Sequence, residues 1–326
     1  MTWLGRRPVG YYLPTVRVLY IAGLGRSGST LLSRLLGQVD GVCALGEAHH
    51  VWRTGAPRAA ADELCGCGRT YAECGFWRDR LAAVFDQEGG VPTERMRELA
   101  GRVARIRHVR RLERGGDRAF EAAVAEYAAV WERLYAEIAR HTGARVIVDA
   151  SKDLGPLYFL RRIAGLEVAV LHLVRDPRGV AHSWSRRKLR PEFVGREIYM
   201  NRHGALDVAW RWSYSNVLAQ RAARHFPALL RLRYEDFVAA PREALAGICA
   251  FAGLPDADLG FLDGRRARLA RATCTLSGNP MRFGGGELVI RPDAEWRERM
   301  PAVSRALVGA LTWPLARRYG YAWGGP

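Results

Sequence analysis

The stretch that most constrains this chain is Arg17 to Val39, RVLYIAGLGRSGSTLLSRLLGQV. Val18 to Ala22 form a short apolar run bounded by glycine, the pattern of a parallel strand covered on both faces. Leu31, Leu32, Leu35, Leu36 and Val39 follow at helical spacing. Between them Gly23, Gly25 and Gly28 let the backbone approach a ligand, and the first N–H groups of the helix point at it. Arg26, Ser27, Ser29 and Thr30 add a cation and hydroxyl donors. The stretch is an anion cradle. Gly23-x-Gly25-x-x-Gly28 matches the dinucleotide pattern, and Gly23-x4-Gly28-Ser29-Thr30 is a Walker A loop with serine in place of lysine. That lysine reaches the terminal phosphates of a triphosphate, so the loop alone does not choose its ligand.

The rest of the chain repeats strand and helix. Gly41 to Glu47 reads as a second strand ending in a carboxylate, followed by His49 and His50. Residues from about 56 to 140 read as a helical insertion. Leu99, Val103, Ile106 and Val109 give one basic helix, and Phe120, Val124, Tyr127, Trp131, Leu134 and Ile138 a second stripe. Arg145 to Asp149 and Glu167 to Val174 are further strands; the first closes in Asp149-Ala-Ser-Lys152-Asp153 and the second runs into Arg175-Asp-Pro. A long helix with Trp210, Tyr214, Val217 and Leu218 on one face, a strand from Leu229 to Tyr234, and a loop from Thr273 to Gly286 complete the pattern. This predicts an α/β fold with a P-loop-like, three-layer α/β/α architecture around a mostly parallel sheet, one domain over 1–326. The glycine loop, Glu47, Lys152 and Arg175 each follow a strand, so they should converge at one sheet edge, where such folds bind ligands.

Charge and cysteines narrow the setting. The formal charge is +17, and only Lys152 and Lys188 of the 50 basic residues are lysines. Such an excess attracts anionic ligands, yet no zinc-finger, basic-zipper or RNP pattern points to nucleic acid. The sequence has no run of about 18 apolar residues and no signal-like opening, so the expectation is a cytoplasmic protein without a membrane span. Cys65, Cys67 and Cys74 could bind zinc with His49 or His50 as fourth ligand, but the tight C-x-C spacing and the absence of a second pair favour a metal-free turn, and no metal is assigned.

With Arg175 and Ser183 added to the glycine loop, the sequence resembles the sulfotransferases that use 3′-phosphoadenosine-5′-phosphosulfate (PAPS). It looks most like bacterial members and, within the core, tyrosylprotein sulfotransferases. The resemblance implies that Gly25, Arg26, Ser27, Gly28, Ser29 and Thr30 cradle the 5′-phosphosulfate, and that Arg175 and Ser183 hold the 3′-phosphate. Arg187, one helical turn beyond Ser183, can face the same phosphate. By the same resemblance Glu47 is the base that takes a proton from the acceptor hydroxyl. Arg26 and Lys152 stabilise the bridging and sulfuryl oxygens, with Ser277 donating a further hydrogen bond, and Ser277 and Tyr234 also complete the donor site from Ser277-Gly-Asn-Pro280 and Tyr234-Glu235. His49 or His50 remains open as the base, and Lys152 could instead pair with Asp149 or Asp153. The acceptor class is a small molecule or glycan. The competing readings are a P-loop kinase, with Asp149 as its Walker B residue, and a non-enzymatic nucleotide- or nucleic-acid-binding protein.

Overall fold

Five strands form one wholly parallel sheet: β1 (Val16–Gly23), β2 (Val42–Gly46), β3 (Val146–Lys152), β4 (Leu166–Val174) and β5 (Ala228–Arg233), in the order β2-β3-β1-β4-β5. This computed structural model describes residues 15–54, 63–85, 93–226, 228–271 and 273–323; parts of the expected insertion, at 56–62 and 86–92, lie outside them. Successive side chains of β1 point to opposite faces, as a strand requires. Val18, Tyr20 and Ala22 join one buried cluster, and Leu19 and Ile21 join another. The first is covered by Arg118–Thr142, Leu154–Leu160 and part of Ala205–Ala222; the second by Ser29–Leu36, Tyr234–Ala239 and Pro241–Phe251. The three-layer α/β/α fold therefore follows from a central strand that is apolar on both sides.

Three local readings change. The expected basic helix is two, Thr93–Val103 and Val109–Arg114, because the chain breaks at Ala104 and Arg105 to pass over Gly155, where any Cβ would lie 2.4 Å from the Ala104 carbonyl oxygen. Ile106 at this break is 39% exposed and belongs to no buried stripe. In the Ala205–Ala222 helix the buried face is Val208, Ala209, Trp212, Asn216, Ala219 and Ala222, whereas Trp210 and Tyr214 are stacked on each other outside. A second, antiparallel sheet of β6 (Leu262–Asp263), β7 (Arg266–Leu269) and β8 (Gly286–Val289) holds the stems of the 270–285 loop, with Leu269 opposite Gly286. Among the described residues no helix is long and apolar enough to cross a membrane.

Asp149 joins the Arg118–Thr142 helix to the sheet. It is buried, accepts the Tyr135 hydroxyl at 2.8 Å and takes both the amide (2.9 Å) and hydroxyl (2.5 Å) of Ser151. Burial pushes its carboxyl up despite these bonds from Ser151 and Tyr135. Removing one donor leaves a buried carboxylate short of a partner. Tyr135→Phe is therefore expected to lower stability by about 1–3 kcal/mol in urea denaturation, and an unchanged midpoint would show that Tyr135 does not tie the helix to β3.

Candidate functional site

The parallel register brings the strand ends to one edge. Ala22 pairs with Lys152, Gly46 with Asp149 and Gly23 with Leu173, so the glycine loop, Glu47, Lys152 and Arg175 leave neighbouring strands on the same side. Gly28 caps the first helix with φ +93°, and its missing Cβ admits the Tyr234 ring, which a Cβ would meet at 2.5 Å. Trp184 covers the loop, donating from Nε1 to the Gly25 carbonyl at 3.1 Å. Its ring lies 5.0 Å from the Arg26 guanidinium carbon, a cation–π contact. Ser27 and Ser29 are buried, and the Thr30 hydroxyl accepts the Asn279 amide at 3.4 Å.

Arg26 is a cation with donors to spare. Its Nη2 contacts the Met200 sulfur at 2.9 Å, while Nε and Nη1 are buried without a hydrogen-bond partner among the described residues. Burial lowers its pKa; Glu47 opposes that shift and Arg175 reinforces it. Buried N–H groups are almost always paired in native proteins, so this guanidinium fits an anion such as a sulfuryl or phosphate oxygen.

Glu47 leaves the end of β2, its amide donating to the Leu276 carbonyl at 2.8 Å. Its carboxylate meets Lys152 Nζ at 2.5 Å and His50 Nε2 at 3.2 Å. Lys152 is thus paired with Glu47, not with Asp149 or Asp153, and His49 instead faces Asp153 at 3.4 Å. Burial pushes the Glu47 carboxyl up, but Lys152, His50 and His49 outweigh it and hold it well below the usual carboxylate range. Asp149 has its oxygens engaged within the protein, unlike an aspartate that coordinates the metal of a kinase.

Ser277 stands over this pair. Thr30, Arg34, Glu47, Lys152, Ser277 and Arg282 are among the residues lining a cleft of about 260 Å³, measured to its open mouth. Leu276 exchanges backbone hydrogen bonds with Leu45 and Glu47, both at 2.8 Å, so the loop extends the edge of β2. The Ser277 amide donates to the Tyr71 hydroxyl at 3.2 Å. Among the described residues, the non-glycine residues with positive φ are Arg26 (75°), Lys152 (67°) and Ser277 (48°). Such conformations are disfavoured for residues with a Cβ and cluster at functional sites. All three are residues that the sequence singles out for catalysis.

The second half of the expected donor site is less open. Arg175 is buried, donating from Nη1 to the Arg26 carbonyl at 2.9 Å and contacting Asp293 through Nη2 at 2.8 Å. It also lies 4.7 Å over the Tyr234 ring. Ser183 is half-buried on the Pro177–Ser185 helix that follows Arg175. That helix ends at Ser185, so Arg187 is not carried on a helical turn beyond Ser183; it stacks at 3.7 Å over the Tyr199 ring.

Sequence reasoning missed Arg34, Lys188 and Asp293. Burial pushes the Lys188 ammonium down, with Arg26 and Arg186 adding to the shift, so it belongs to the cationic group around the loop. Its signal was its rarity, as one of two lysines. The cysteine turn also has a different fourth neighbour: the sulfurs of Cys65, Cys67 and Cys74 gather with that of Cys274, whereas His49 and His50 face Asp153 and Glu47.

The fold has relatives among solved structures. The fold resembles the sulfotransferase domain of the Synechococcus PCC 7002 olefin synthase, with a TM-score of 0.56 and 20% identity over 95% of this chain and 96% of that one. It also resembles the sulfotransferase domain from the curacin biosynthetic pathway, with a TM-score of 0.52 and 18% identity over 96% of this chain and 99% of that one. No curated protein matches the sequence. The model of the "Sulfotransferase family" matches residues 19–258, which contain the glycine loop, Glu47, Lys152, Arg175, Ser183 and Tyr234, with Ser277 lying beyond. On that match, over more than half of its length, the chain belongs to the sulfotransferase family.

Proposed function

We propose that this chain, acting as one domain with a helical acceptor-side insertion, moves the sulfuryl group of PAPS to a hydroxyl of a small-molecule or glycan acceptor. The observation that carries the reading is the meeting of Glu47 and Lys152 beside Arg26, whose buried Nε and Nη1 have no hydrogen-bond partner among the described residues. PAPS, when bound, supplies an activated sulfuryl group and a phosphate that leaves with added negative charge. Gly25 to Thr30 hold the 5′ end. Arg175 and Ser183, with Tyr234 against the loop, form the 3′ end.

Glu47 is the general base. While Lys152 sits at 2.5 Å its carboxylate is held below its ordinary pKa, so it is fully ionised but weakly basic. A donor anion competes for the Lys152 ammonium. As that contact shifts, Glu47 loses its strongest stabilising partner and can accept the acceptor's proton. Arg26 and Lys152 then face the charge that grows on the leaving oxygen, with Ser277 as a further hydrogen-bond donor. Positioning and electrostatics do most of the work, as in phosphoryl transfer.

Three outcomes test this. Glu47→Gln should lower turnover by about 10²–10⁴-fold without weakening the binding of 3′-phosphoadenosine-5′-phosphate measured by calorimetry; unaltered turnover would move the base to His49 or His50. Lys152 holds the Glu47 pKa down, so in Lys152→Ala the acid limb of residual kcat/KM should move to higher pH, and an unmoved limb would uncouple the pair. In thermal unfolding, 3′-phosphoadenosine-5′-phosphate at 100 times its Kd should stabilise the folded chain by about 2.7 kcal/mol. Arg175→Ala should lose much of that effect. Stabilisation by ATP-magnesium alone would replace the reading with a kinase.

A further inference from the structure

The expected insertion and the Ser277 loop meet at four thiols. The sulfurs of Cys65, Cys67, Cys74 and Cys274 all lie within 4.8 Å of one another. Cys65 and Cys74 are buried, Cys67 and Cys274 half-buried. Cys67 and Cys74 are 3.7 Å apart at sulfur, far beyond a disulfide bond. A tetrahedron with Zn–S bonds of about 2.3 Å has edges of about 3.8 Å. From these residues we infer that the protein holds one structural zinc ion in a four-cysteine site made of Cys65, Cys67, Cys74 and Cys274, a site that pins the 270–285 loop to the cysteine turn.

The surroundings suit a tetrathiolate. Trp77 Nε1 donates to the Cys274 carbonyl at 2.7 Å. The turn is tight, with the Cys65 amide bonded to the Arg69 carbonyl at 2.8 Å and the Gly68 amide to the Cys65 carbonyl at 2.9 Å. Gly66 lies so close to the loop that a Cβ would sit 2.2 Å from the Thr275 hydroxyl. Zinc with four thiolates carries a net charge of −2, and a buried cation stands beside it. Arg282, 2% exposed, donates to the carbonyls of Leu64 and Thr275, both at 2.9 Å, each next to a ligand cysteine. Binding replaces the thiol protons with the metal and involves no redox step.

The site reaches the cleft through two short links. Cys274 is three residues before Ser277, and Tyr71, inside the turn, accepts the Ser277 amide at 3.2 Å. Zinc would hold the left-handed backbone at Ser277 in place from outside the cleft.

The test uses the full chain, purified without chelator. Elemental analysis should find about one zinc per chain, released when a mercurial blocks the thiols. Cobalt(II) exchanged into the site should give the charge-transfer and visible bands of a tetrahedral four-sulfur centre. Cys67→Ser and Cys274→Ser should each lose zinc, and chelation should lower the melting temperature of the wild-type chain, with recovery on adding zinc. If a variant fails to fold, the cobalt spectrum of the wild-type chain decides. A folded metal-free chain whose four thiols react freely, a Cys67–Cys74 disulfide in the peptide map, or cobalt bound without sulfur bands would each overturn the inference. The last would place the ion at Glu47, His49 and His50. None of these readouts depends on sulfuryl transfer.

Discussion

The contact between Lys152 and Glu47 exists because β2 and β3 are parallel neighbours whose last residues leave the sheet together. Gly46 pairs with Asp149, which puts Glu47 just beyond one strand and Lys152 at the end of the next. Slipping that pairing by one residue would reverse every side chain of the strand and separate the charges. Buried Asp149 guards the register: with Ser151 and Tyr135 it fixes the end of β3 from below while Lys152 turns toward the cleft. The carboxylate that resembled a Walker B residue thus supports the site without entering it.

The left-handed conformations at Arg26, Lys152 and Ser277 disfavour the folded state locally, so other contacts must hold them. Arg26 is clamped through its carbonyl by Arg175 and flanked by Trp184. Lys152 lies in a strand end whose register with β1 shifts after Tyr20. Ser277 is held on one side by the Leu276 bonds to β2 and on the other by Tyr71. The supports come from three separate parts of the chain, consistent with a site assembled only when the sheet, the cysteine turn and the 270–285 loop have all packed.

Local pattern carried much of this architecture. The apolar runs at Val18 to Ala22 and Glu167 to Val174 are strands because both faces are covered, and strand ends mark the ligand edge of any parallel sheet. What local pattern could not carry was partner choice over distance. Lys152 has Asp149 and Asp153 beside it in sequence, but the backbone turns its amine toward Glu47, 105 residues away. Cys274 sits at least 200 positions from Cys65, Cys67 and Cys74 and reads as unrelated to them until the loop folds back. The Trp210 and Tyr214 stripe misled for a different reason. Large aromatic residues suggest burial, yet the smaller Ala209, Ala219 and Ala222 let the opposite face pack against neighbouring elements, with Trp212 as its one large anchor.

Two of the cations at this sheet edge already sit on internal carboxylates. Lys152 rests on Glu47 and Arg175 on Asp293, while among the described residues two N–H groups of Arg26 stay unspent. An arriving anion would therefore not be the first counter-charge that Lys152 and Arg175 meet. It would replace internal carboxylates, so its affinity is the difference between two ion pairs and its selectivity depends on how well it reaches all three cations at once. A ligand with one phosphate could relieve Arg26 but leave Asp293 on Arg175. Two anionic ends at the right separation could engage both, and displacement of Lys152 would leave Glu47 basic only in the filled site. On the proposed reading, donor recognition and activation of the base are the same exchange of partners.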